Sequence, residues 1–208
     1  MAFKRDLAPP LSVVEFYSIG RVLGKGAYGK VNLALQKLTR RLCAVKSINK
    51  ALTSDKSTFL KLHNEMFIHK QLRHNNVCML FETIETPTHN LLFLELCRGG
   101  DLLHYVRRRR RIDEDVAKVI FKQIVLGIQY IHSKNIIHRD IKLENILIDN
   151  LGVVKICDFG VSKLLENKDS KATECCGTPS YMAPEVVLCE IVNEVAKPKK
   201  KNSKKAAV

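Results

Sequence analysis

Four polar residues stand close enough in the chain to act together: Asp140, Lys142 and Asn145 in His138-Arg-Asp-Ile-Lys-Leu-Glu-Asn145, and Asp158 in Asp158-Phe159-Gly160. A carboxylate can orient a hydroxyl and accept its proton, and an ammonium can neutralise charge on a group in transit. An amide and a second carboxylate offer the hard oxygens that a divalent cation prefers. Together these are the parts needed to move a phosphoryl group onto a hydroxyl, a reaction that depends mainly on positioning and electrostatics.

Such residues need a scaffold, and the sequence upstream supplies one. From Tyr17 the chain alternates apolar and polar residues on both sides of Gly24-Lys-Gly-Ala-Tyr-Gly29, which reads as strand, glycine turn, strand. A dinucleotide-binding fingerprint would need a helix directly after the glycines. Val31, Leu33 and Leu35 at period two argue instead for a flap whose bare backbone can lie over phosphates. Leu42-Cys-Ala-Val-Lys46-Ser-Ile48 reads as a third, buried strand. An unpaired lysine there is costly unless it snorkels to the surface or meets an anion. Glu65, in a helical stretch expected over 56–73, is available to it. Leu91 to Leu96 is a further apolar strand. Asp113 is a candidate N-cap, with Glu114 and Asp115 in the first turn. Val116, Ile120, Ile124, Ile128 and Ile131 then mark the buried face of a helix ending near His132.

Composition narrows the alternatives. The 208 residues are 46% hydrophobic, ordinary for a globular protein, and no run of 18 apolar residues occurs. The N-terminus has no apolar leader-like region, so cytoplasm, or nucleus, is the expected location and no membrane is implied. Seven cysteines without a CxxC pair point to reduced thiols. Of the +14 formal charge, five belong to Arg107–Arg111 and six to lysines 197, 199, 200, 201, 204 and 205, which leaves a body at +3. The tail reads as a solvated end, and the arginine run as the end of a surface helix. A nucleic-acid partner rests only on those two clusters.

The catalytic string, the glycine stretch, Lys46, Glu65, Asp158-Phe-Gly160 and Ala183-Pro184-Glu185 occur in the order of the eukaryotic protein kinase family. Residues 17 to about 187 resemble that family, on its serine/threonine branch of calcium/calmodulin-dependent or related type. Lys142 and Gly177-Thr178-Pro179 carry the branch resemblance. The resemblance implies an α+β, two-lobed fold with a complete β-rich first lobe (17–98) and an incomplete helical second lobe (99–190). These would lie between a lead-in at 1–16 and a basic tail at 191–208. It implies ATP between the lobes, with Leu23, Gly24, Lys25, Gly26, Ala27, Gly29, Val31, Ala44, Glu95, Cys97, Asp101 and Leu147 around it. Lys46 and Glu65 would clamp the phosphates, and Asn145 and Asp158 would hold Mg²⁺. Asp140 would be the base and Lys142 the charge stabiliser. Leu94 would stand at the gatekeeper position, Glu95-Leu96-Cys97 would form the hinge, and Cys97 and Cys157 would border the pocket. A protein substrate and a regulatory partner are the partners implied, and Glu144 resembles a position favouring basic residues before the acceptor.

Three departures stand out. Glu174 occupies the place of a phosphorylatable residue and is expected to engage Arg139 as a fixed anion, with Thr173 as a rival phosphosite. His69 replaces an apolar residue in a stack expected with Leu80, His138 and Phe159. After Glu185 the family's further helices have no counterpart, so the chain reads as truncated, with core surface exposed. A kinase-like binding or decoy protein without turnover is therefore the rival function.

Overall fold

The structure is a computed structural model that describes residues 14–26, 29–53, 55–167, 170, 172 and 176–187, the side chains of Ser57 and Glu185 excepted. Ala27, Thr173, Glu174, Cys175 and everything beyond Val187 lie outside the described residues, and the expectations placed on them with it.

The first lobe is a five-stranded antiparallel sheet of β1 (Tyr17–Gly26), β2 (Gly29–Gln36), β3 (Leu42–Asn49), β4 (Leu80–Glu85) and β5 (His89–Leu94), in the order β1-β2-β3-β5-β4. Strand period sorts its side chains. Cys43 and Val45 of β3, with Leu91 and Phe93 of β5, face one way and pack with Val14, Tyr17 and Ala34. The Tyr17 and Phe93 rings stack at 3.8 Å. Ile48 and Leu92 fall on the opposite face and pack with Leu62 of α1 (Lys56–Lys70) and with Leu80. Lys46 shares parity with Ile48, so the same alternation aims it at α1. Its register neighbours are Val31 and Leu92.

Helix α1 opens at Asp55, whose carboxylate accepts from the Thr58 N–H at 2.9 Å. It ends at Lys70, short of the expected Arg73, because the Gln71 N–H turns back onto the carbonyls of Ile68 and His69. The apolar strand also stops sooner than expected, at Leu94, where the Glu95 N–H leaves the sheet ladder for the Met79 carbonyl at 2.9 Å.

The second lobe contains β6 (Gly100–Asp101), α2 (Leu102–Arg109), α3 (Glu114–Ser133), β7 (Ile136–Ile137), β8 (Ile146–Ile148), β9 (Val154–Ile156), β10 (Lys163–Leu164) and a short α4 (Pro184–Val187). Strands β6, β8 and β9 form one small sheet, and β7 pairs with β10. Ile131 is fully buried, and Ile120, Ile124 and Ile128 pack on the same core, as their spacing requires. Asp113 holds the N-cap position of α3 as expected, though without a side-chain cap bond, whereas Val116, expected on the buried face, is 40% exposed. Val116 is not among the residues packed on the core that Ile120, Ile124, Ile128 and Ile131 share. Val119, Phe121, Val125 and Leu126 are exposed further along.

The lobes share more than the hinge. Ile68 and Leu72, near and just beyond the end of α1, are buried in the second lobe's core. Val77 forms a parallel bridge with Ile156, the Cys78 N–H donates to the Ile156 carbonyl at 2.8 Å, and the Ile156 N–H donates to Asn76 at 3.0 Å. The Asn76 side-chain amide donates to the Val154 carbonyl at 3.0 Å and to Gln123 of α3 at 3.1 Å.

Candidate active site

A cavity of 410 Å³ lies between the lobes. Leu23, Val31, Ala44, Leu92, Leu94 and Leu147 give it an apolar end, and Lys46, Glu65, Asn145 and Asp158 a charged one. Gly24, Lys25, Glu95, Cys97 and Asp101 also line it, so the structure gathers all but three of the residues expected around a nucleotide. Gly29 lines an adjoining cavity of 260 Å³, nothing beyond the backbone of Gly26 is described, and Ala27 is outside the described residues.

Lys46 meets Glu65 at 2.6 Å and Asp158 at 3.4 Å. Burial alone would lower the lysine's pKa, but the two carboxylates outweigh it and hold the ammonium charged well above its ordinary range. Asp158 shows the converse: burial favours its neutral acid, and Lys46 overrides that to keep the pKa below the usual carboxylate value. Asp158 sits at φ 62 and Arg139 at φ 66, in the left-handed region that non-glycine residues seldom adopt. Such backbone persists where the surroundings over-determine it.

Asp140 is the most heavily held side chain of the site. Lys142 Nζ reaches Asp140 Oδ2 at 2.8 Å, and Asn145 Nδ2 donates to the same oxygen at 3.0 Å and to the Asp140 carbonyl at 2.9 Å. Thr178 Oγ1 donates to Asp140 Oδ1 at 2.6 Å and accepts from Lys142 at 2.6 Å. Partial burial pushes the Asp140 pKa up, yet the bonds from Lys142 and Thr178 and the lysine charge hold it below its ordinary value. The carboxylate is therefore ionised throughout the neutral range. Gly177 lets Thr178 come this close: at φ 116, with an added Cβ placed 2.6 Å from the Arg139 carbonyl, only glycine fits.

His138 positions Asp140 through its tautomer. A carbonyl can only accept, so Nε2–H must donate to Cys157 O at 3.0 Å, which leaves Nδ1 to accept the Asp140 N–H at 3.3 Å. The Phe159 ring lies between this histidine, at 5.0 Å, and His69, at 4.7 Å. His69 is tolerated in the stack because its Nε2–H donates to Cys78 O at 2.7 Å. Burial depresses its pKa to about 4. In the unfolded chain a histidine titrates near 6.5 and takes up its proton first, so this site's contribution to stability is full above about 6.5 and falls as pH drops toward 4. We expect the loss to approach about 3 kcal/mol, and His69→Gln, which keeps a donor and cannot titrate, to flatten that limb in denaturant titrations. An unchanged slope would place the acid sensitivity elsewhere, His138 being the next candidate.

Several participants had no local signal in the sequence. Lys155 on β9 holds Glu95 at 2.7 Å, and Cys78 lines the cavity from the segment before β4. Asp101, expected at the cavity, has a role the sequence did not suggest: it caps α2, accepting from the His104 N–H at 2.8 Å. Thr53, Thr58 and Lys61 line the adjoining cavity next to Lys46, Asp140 and Asp158. Arg139 Nε donates to the Val161 carbonyl at 2.6 Å. Its expected partner Glu174 is outside the described residues.

A two-lobed fold with this cleft, lysine–glutamate pair and ringed aspartate defines the protein kinases. Residues 17–204 match the protein kinase domain family, and the chain belongs to it. It is 38% identical over 171 residues to serine/threonine protein kinase OSK3 of Oryza sativa, covering 82% of this chain and 34% of that protein. It is 36% identical over 177 residues to SNF1-related protein kinase catalytic subunit alpha KIN12 of Arabidopsis thaliana, covering 85% and 36%. To human NUAK family SNF1-like kinase 1 it is 37% identical over 171 residues, covering 82% and 26%. The chain thus spans between 26% and 36% of the length of these relatives.

Proposed function

We propose that this chain is a protein serine/threonine kinase that transfers the γ-phosphoryl group of ATP to a Ser or Thr hydroxyl of a protein substrate, in the cytoplasm or nucleus. The observation that carries the reading is Asp140, held by Lys142, Asn145 and Thr178 on the wall of the cavity adjoining a cleft with an apolar and a charged end. The relatives named as serine/threonine kinases support the choice of acceptor.

The donor set fits Mg·ATP. The apolar end suits a purine, and Glu95 offers its carbonyl as a hinge acceptor, met among the described residues by the Cys78 thiol at 3.7 Å. Lys46 is charged for phosphate oxygens. Asn145 commits its amide nitrogen to Asp140, which leaves its carbonyl oxygen, with the Asp158 carboxylate, for a metal that takes its other ligands from phosphates and water. When bound, the metal would neutralise charge on the phosphates. Asp140 then aims the acceptor hydroxyl and takes its proton, while Lys142 offsets charge on the group in transit. Thr178 keeps both side chains in place.

Thermal unfolding with and without Mg·ATP, beside Lys46→Met, tests the site. Ligand at about 100 times its dissociation constant adds roughly 2.7 kcal/mol to a folded binder. A transition that rises with nucleotide in the wild type and less in the variant is expected, together with labelling of Ser or Thr in a protein acceptor. A melt indifferent to nucleotide would refute the reading, and binding without phosphotransfer would favour the non-catalytic binder.

A further inference from the structure

The five arginines 107–111 are more than the end of a helix requires. Helix α2 closes inside the run, with Arg107, Arg108 and Arg109 in its last turn and Arg110 turning the chain at φ 64. Cations in a last turn are favoured by the helix dipole, but like charges three and four residues apart repel, and the benefit does not extend past the turn. All five are exposed. Arg109 lies over the Tyr105 ring at 4.1 Å, and none of the five forms a salt bridge with a carboxylate among the described residues. Glu114 and Asp115, the acids of the next helix, are held by Lys118 at 3.0 and 3.6 Å. The fold therefore presents a dense cationic surface with no carboxylate paired to it among the described residues.

Its position relates it to the active site. Helix α2 begins next to Asp101 on the wall of the nucleotide cavity and packs on Leu143–Asn145 of the catalytic loop. At 1.5 Å per residue its far end lies roughly 10 Å along the helix from Asp101, the reach of about three extended residues at 3.3 Å each. Around the acceptor position itself, Asp140, exposed Glu144 and Asp158 would repel an acidic side chain. Acids on a substrate are thus disfavoured beside the acceptor and favoured a few residues away.

We infer that the end of α2 is a docking surface for an Asp/Glu-rich segment of the protein substrate, set a few residues from the acceptor hydroxyl. The inference rests on the kinase reading for what occupies Asp140. The guanidinium fork matches carboxylates in two-point contacts and steers an oppositely charged partner on approach. Single-stranded nucleic acid is the poorer fit, since its binding surfaces pair cations with open aromatic platforms and Tyr105 is covered by Arg109.

The test is fluorescence anisotropy on the full chain. The probes are labelled peptides with one serine and a glutamate run on either side, their glutamine counterparts, and a single-stranded oligonucleotide of equal charge. The variant is Arg107→Gln/Arg108→Gln/Arg110→Gln/Arg111→Gln, which keeps Arg109 on Tyr105. The lysine-rich tail is present throughout, so the difference reports the arginines alone. A glutamate peptide should bind more tightly than its glutamine counterpart, lose roughly tenfold in the variant, and weaken between about 50 and 200 mM salt. Equal binding of the two peptides, an unchanged variant, or tighter oligonucleotide binding that the variant abolishes would each overturn it. Phosphotransfer to the glutamine peptide with no acidic preference would sink this surface and leave the kinase reading standing. Arginine-dependent binding of the glutamate peptide without phosphotransfer would do the reverse.

Discussion

Asp140→Asn is expected to lower phosphotransfer by about two to four orders of magnitude, the usual worth of a positioned base, while leaving the fold and the nucleotide-dependent rise in melting temperature intact. Asparagine matches aspartate in shape. Its carbonyl oxygen can take the place of Oδ2 toward Lys142 and Asn145, and its amide can face the Thr178 hydroxyl, which accepts as well as donates. The variant loses the ability to accept the acceptor's proton, and the negative charge that holds the Lys142 pKa up against burial. Steady-state phosphorylation and thermal melts on one preparation separate the two effects. A rate within about threefold of wild type would remove Asp140 from the chemistry, and a lost melting transition would make its role structural.

Gly29→Ala is expected to be the most damaging single methyl addition in the first lobe. An added Cβ would stand 1.7 Å from the Ser47 carbonyl oxygen and 2.8 Å from its carbon. Both atoms belong to β3, whose Ile48 is paired with Gly29 and whose Lys46 is one residue before Ser47. Backbone cannot swing aside as a flexible side chain would, so relief requires β2 and β3 to part. Overpacking of this kind costs about 3 kcal/mol, or roughly 6 to 12 °C in melting temperature for a protein of this size. Gly24→Ala is the control, because a Cβ there meets nothing within 4 Å. A Gly29→Ala melt indistinguishable from Gly24→Ala would show that the sheet yields more readily than its geometry implies.

The same glycine shows what a sequence can convey. The glycine stretch reads as a phosphate flap, and the strand–turn–strand form is what the chain adopts, yet the third glycine is required by the neighbouring strand's carbonyl. Parity along β3 was legible, and with it the direction of Lys46, because a strand's period is an integer. Helix ends were less legible: α1 stops at Lys70 through a backbone turn at Gln71 that has no composition of its own. Glu95 and Lys155, or Asn76 and Gln123, meet across 60 and 47 residues and carry no motif. His69 stood out as a departure from an apolar stack, but the carbonyl of Cys78 that accommodates it became visible only in three dimensions.

The strap between residues 76–78 and β9 has a mechanical consequence. By sequence these residues lead into the first lobe, but hydrogen bonds to Val154, Ile156 and Gln123 fasten them to the second. Together with the crossing at residues 95–99, and with Ile68 and Leu72 sunk in the second lobe's core, they fasten the lobes along one side of the cleft. Any closure of the cleft would turn about that fastened side, as a door turns about its jamb. Strand β1, at the edge of the sheet opposite β4, would then sweep the longest arc, and Cys78 and Ile156 the shortest.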